Sequence, residues 1–137
     1  MKTSSHIIID KIALIKIKNG QVLSTKSKGK NKYYFPGGKR EIGESDEQTL
    51  IREIKEELSV EIIQKSYKYI GTLEAQSDGM KEGIIVKMTC YSAEYYGTLK
   101  ASNEIEDIKW LNYADINTVS EVDKIIFDFL KGKGELE

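Results

Sequence analysis

Residues 38–60 read GKREIGESDEQTLIREIKEELSV. Ser45 followed three positions later by Gln48 forms a helix-starting capping box, and Leu50, Ile51, Ile54 and Leu58 then recur at the spacing of one buried helical stripe. The spacing predicts a helix over 46–58. Glu53, Glu56 and Glu57 form a second ridge, roughly 120° from the centre of the apolar stripe, so the carboxylates are expected to rim a cleft beside the buried face. Like charges three and four residues apart cost an isolated helix a few tenths of a kcal/mol per pair. Mg²⁺, which takes hard oxygen ligands, reverses the sign of that interaction. Arg52 stands four residues before Glu56, the spacing of an ion pair that orients it.

Immediately upstream lies Phe35-Pro36-Gly37-Gly38-Lys39. Two glycines after a proline make a tight turn whose backbone can approach a phosphate or a metal. Lys39 belongs to that turn, and Lys26, Lys28, Lys30 and Lys32 recur at every second residue before it. If extended they share a face, and with Gly29 they otherwise form a basic loop. Lysines offset phosphate charge while a carboxylate, from this helix or another loop, takes a proton from attacking water. The favoured reaction class is hydrolytic phosphoryl or nucleotidyl transfer. Tyr33, Tyr34, Phe35 and Trp110 are candidates to stack on a base, and a buried strand accounts for them as well.

The chain has 137 residues, apolar residues at 39% and charged residues at 31%, which fits one globular domain over 1–137. No apolar run reaches the length of a membrane span, and the short Ile7 to Ile9 stretch is too brief for a signal-peptide core. One cysteine, Cys90, excludes an internal disulfide and a multi-cysteine zinc site, so a reducing, cytoplasmic setting is expected. Cys90 and the single histidine, His6, are assigned to structure. With a net charge of −1 no global field draws the chain to a nucleic acid polymer or a membrane. The expected partner is a small-molecule nucleotide, the expected state a monomer or homodimer.

Residues 12–24 alternate around Asn19-Gly20, the cue for a type I′ hairpin. Residues 67–74, 83–95 and 104–111 are rich in Ile, Val, Tyr and Thr and predict three further strands. Ser120 before Asp123 starts a last amphipathic helix carrying Val122, Ile125, Ile126, Phe129 and Leu130. Strands and helices in this order predict an α/β fold with a mixed sheet covered by helices.

Gly38, Glu44, Arg52, Glu53, Ile54, Glu56, Glu57 and Val60 resemble the Nudix box, GX5EX7REUXEEXGU, in which U is a bulky aliphatic residue. The departure is Ser59, where the box has glycine, and a serine there requires a compatible backbone conformation. FPGGK ahead of the box is similar to MutT-like members. The resemblance implies an α/β/α sandwich and Mg²⁺- or Mn²⁺-dependent hydrolysis of a nucleoside diphosphate linked to another group, a triphosphate yielding monophosphate and pyrophosphate. ADP-ribose, dinucleoside polyphosphates, nucleotide sugars and a non-catalytic nucleotide-sensing role stay open. By position it implies Glu53 and Glu57 as main metal ligands, Glu56 assisting and Gly37 contributing its carbonyl. Glu44 and Arg52 then hold loop and helix together, and Glu53 and Glu104 are alternative general bases. Substrate contacts fall to Phe35, Pro36, Gly37, Gly38, Lys39 and Lys26, the last near a position where MutT-like members carry arginine.

Overall fold

The structure, a computed structural model, describes residues 7–76 and 83–137; His6 lies outside them. In chain order the elements are β1 (Ile7–Leu14), β2 (Ile17–Lys18), β3 (Gln21–Ser27), β4 (Gly37–Gly38), α1 (Asp46–Leu58) and β5 (Glu61–Ile62). They continue with β6 (Lys68–Gln76), β7 (Ile84–Ser92), β8 (Tyr95–Tyr96), β9 (Ile105–Leu111), a 3₁₀ turn (Tyr113–Thr118) and α2 (Glu121–Gly132).

A mixed four-stranded sheet runs β4-β1-β7-β6, with β1 parallel to β7 and the outer pairs antiparallel. A second, antiparallel sheet runs β2-β3-β9, and β5 pairs with β8. Among the described residues the mixed sheet is thus one of three. Alternate side chains of β1 and the residue after it serve the two helices: Ile12 and Leu14 join Leu50, Ile54 and Leu58 of α1, whereas Ala13 and Ile15, just past the strand, join Val122, Ile126 and Phe127 of α2. The result is the α/β/α sandwich, with a core on each side of β1.

The Asn19-Gly20 hairpin forms, both residues at positive φ (53° and 76°), but it links β2 to β3 alone. Residues 12–14 instead end β1, which pairs along its whole length with β7 some seventy-seven positions later. β1 pairs with β4 at Ile12 and Ala13 alone and its first residues, Ile7 and Ile8, stay exposed, so the local hairpin cue within 12–24 carries no signal for where β1 begins. Trp110 is partly buried against the α1 core, opposite Leu23, and Cys90 is fully buried.

Candidate active site

α1 begins as its sequence requires. The Ser45 side chain accepts from the Gln48 amide and the Gln48 side chain accepts from the Ser45 amide, satisfying two otherwise orphaned donors. Glu57 does not stay on the rim. It lies seven residues after Leu50, about 20° from it on the helix, and its side chain is drawn inward to 8% exposure. Glu56 points out, so the expected ridge of three is split: Glu53 and Glu57 line a cavity and Glu56 stands outside its lining.

That cavity has a volume of about 450 Å³. Its acidic residues are Glu53, Glu57, Glu104 and Asp123, its basic residues Lys11, Lys30 and Lys39, and its apolar wall includes Ile9, Phe35, Met88 and Val122. The glycine turn fits tightly against it. Gly37 takes φ 145°, where a Cβ would overlap the carbonyl oxygen of Ile12, and a Cβ on Gly38 would overlap the Glu53 carboxylate. The Gly37 amide donates to Oε1 of Glu57 at 3.1 Å.

Burial pushes the Glu57 carboxyl up to about 8, the Gly37 amide opposing and the neighbouring charges of Glu53 and Glu104 adding to the rise, with Lys11 offsetting part of it. Burial likewise raises Glu53, against the pull of Arg52 and with Glu56 and Glu104 reinforcing it. Hard oxygen donors held together against their own repulsion are the chemistry that suits a divalent cation. Among the described residues no three acidic, histidine or cysteine side chains already close on one point, because Glu53 is held by Arg52, Glu57 by Gly37, and Glu56 faces outward.

Arg52 is the hub beside the cavity. Its Nε and Nη2 donate to the two oxygens of Glu44 at 2.6 and 2.9 Å, its Nη1 to Glu53 at 3.1 Å, and Nη2 also to the carbonyl of Lys39 at 3.0 Å. The expected partner, Glu56, is only within ion-pair reach at 3.6 Å. Glu44 comes from a loop that sequence spacing could not fold back onto the helix, and it offers the bidentate geometry that Glu56 does not. This fork holds Glu44 at about 2, the Glu41 amide and Thr49 hydroxyl adding to it.

Two residues expected to contact substrate lie outside the cavity lining. Lys26 does not line the cavity: along β3 its neighbours Thr25 and Ser27 face it, so Lys26 points to the other side and pairs with Glu106 at 2.6 Å. Pro36 is buried outside the lining, its carbonyl accepting from the Leu14 amide at 2.9 Å. Trp110 lies outside it too. Lys11, Met88 and Asp123 line the cavity although sequence reading passed over them. Asp123, at the start of the last helix, turns its carboxylate, 1% exposed, to accept from the Phe35 amide at 2.8 Å.

A NUDIX domain profile matches residues 10–130. The chain belongs to the Nudix family. This Nudix protein superposes on the MutT protein from Methanosarcina mazei Go1 with a TM-score of 0.74 at 16% identity, covering 95% of this chain and 97% of that one. For the MutT NUDIX hydrolase from Burkholderia pseudomallei the values are 0.71, 18%, 88% and 96%. For the mutator MutT protein from Bacillus halodurans they are 0.68, 26%, 87% and 79%. No curated protein matches the Nudix chain significantly. Membership makes it a Nudix pyrophosphohydrolase of small nucleoside diphosphate-linked compounds, in a family that generally uses divalent metal ions. No helix among the described residues is long and apolar enough to cross a membrane.

Proposed function

We propose that this protein hydrolyses a (deoxy)nucleoside triphosphate, oxidised forms included, to the monophosphate and pyrophosphate, with Mg²⁺ as its cation and Mn²⁺ as a substitute. The observation that carries the reading is one cavity lined by four carboxylates, three lysines and an apolar wall. The charged part suits a polyphosphate and the apolar part a base.

Glu53 and Glu57 would hold the cation, Glu56 assisting from outside and the Gly37 carbonyl from the turn. Bound there, it supplies charge neutralisation at the phosphates and a more acidic water. The chain does the rest by positioning. Arg52, anchored on Glu44, fixes Glu53 and the backbone of Lys39 together, so the glycine turn and α1 present one rigid wall to the phosphates. Lys11, Lys30 and Lys39 offset phosphate charge. Glu53 and Glu57 are already engaged by Arg52 and Gly37, which favours Glu104, from a separate loop, as the carboxylate that accepts a proton from the attacking water.

The test is release of phosphate and pyrophosphate from triphosphates, ADP-ribose, dinucleoside polyphosphates and nucleotide sugars with Mg²⁺. A triphosphate is expected to give the highest kcat/KM, with pyrophosphate as product, and Glu57→Gln to lower kcat on the order of a hundredfold or more. A higher kcat/KM for another class overturns the substrate. Tight binding without any turnover makes the protein a sensor, and full activity in Glu57→Gln removes that residue from the reaction.

A further inference from the structure

The last turn of α1 carries Glu56 and Glu57, and a helix C-terminus leaves its carbonyls without partners inside the helix. Here a single short loop takes three of them in succession. The Lys100 amide donates to the Leu58 carbonyl at 2.9 Å, the Ser102 amide to Glu57 at 3.1 Å, and the side-chain Nδ2 of Asn103 to Glu56 at 2.9 Å. The next residue is Glu104. Its carbonyl accepts from the Lys28 amide at 2.8 Å, and the Ile105 amide closes the turn on Ser102 at 3.0 Å. Glu104 is therefore held between the end of α1 and the basic loop that carries Lys30, with both Lys30 and Glu104 lining the cavity.

Two of the three straps are backbone amides that any residue supplies. Asn103 is different. It sits at φ 54°, in the left-handed region that asparagine tolerates better than most residues, and its side-chain amide reaches the helix. We propose that Asn103 is a positioning residue for the hydrolysis: it locks the backbone at Glu104 to the turn bearing Glu57, fixing the distance between the proton-accepting carboxylate and the helix carboxylates. Sub-ångström placement of such groups governs rate more than binding, since substrate affinity comes from the rest of the cavity.

The inference rests on the reading above that Glu104 serves the reaction, and a double-mutant cycle separates the two. Asn103→Gly keeps the left-handed backbone and removes the amide; Asn103→Asp keeps the side-chain shape and removes the donor. Both are expected to lower kcat on the order of tenfold, with KM within about twofold of wild type. In a Glu104→Gln background Asn103→Gly is expected to cost little more, because there is no longer a catalytic carboxylate to misplace. A residue that merely capped the helix would lower the melting temperature and leave kcat unchanged; that result, in either variant, overturns the proposal, as does full multiplication of the two losses. If Glu104→Gln itself turns over like wild type, the assignment of Glu104 falls, and the proposal with it.

Discussion

Ser59 ends α1 at φ 62°, ψ 27°, its amide still donating to the Lys55 carbonyl at 3.1 Å. A left-handed residue is what a helix needs at this point to turn away, and glycine meets the need without a Cβ clash. Serine meets it at a cost of roughly 1–2 kcal/mol in the folded state. Ser59 is exposed and the turn holds regardless, so the departure from the family's box alters stability and leaves the carboxylates of the same helix in place. Ser59→Gly relieves that strain but adds freedom to the unfolded chain, and the balance is expected to stabilise by ~0.5–1 kcal/mol. Thermal melts at neutral pH would show it as a rise of a few degrees with unchanged kcat; a lower melting temperature would mean that the serine side chain makes a contribution larger than its backbone cost.

At the scale of elements, the join between the 38–45 loop and α1 is electrostatic. Glu44 receives both donors of the Arg52 fork, and its carboxyl is held at about 2 against an ordinary 4.5. A depressed carboxyl contributes stability that is complete above its unfolded value and is lost as pH falls towards its folded one. Wild type should therefore outmelt Glu44→Gln at pH 6, and the difference should shrink between about pH 5 and pH 2. A gap constant across that range would show that the contact works through packing alone. The same join marks the limit of what the sequence discloses. α1, its caps and the Asn19-Gly20 turn were legible because their signals are local: capping residues, a 3.6-residue period, a turn dipeptide. The Arg52–Glu44 pair was not legible from spacing and came only with the family resemblance, since Glu56 is the nearer partner along the helix. The side on which Lys26 stands was not legible for a related reason. Which face of β3 meets the cavity depends on its register with β9, which places Lys26 opposite Asp107, and no pattern within the strand states it.

The cavity belongs to the whole molecule. Lys11 comes from β1, Lys30 from a loop, Gly37 from β4, Glu53 and Glu57 from α1, Met88 from β7, Glu104 from the loop before β9 and Val122 from α2. Without a cation the fold must hold a Glu57 carboxyl at 8% exposure beside two further carboxylates, a local cost that the surrounding packing bears. Anything that binds the folded state at this junction stabilises all of it, by about 2.7 kcal/mol at a concentration one hundred times its Kd. For a chain of this size that is a rise in melting temperature of ~5–10 °C. Mg²⁺ is expected to raise the melting temperature above that in a chelator, and the rise should be lost in Glu57→Gln. In the chelator at a pH above 8, where the Glu57 carboxyl is ionised, that variant should melt no lower than wild type, because a neutral amide in the same buried place removes the repulsion while still accepting the Gly37 amide. The two halves of the measurement pull against each other. A variant that is at least as stable alone yet blind to the cation locates the metal site at Glu57, whereas one that still responds to Mg²⁺ moves it elsewhere on the protein.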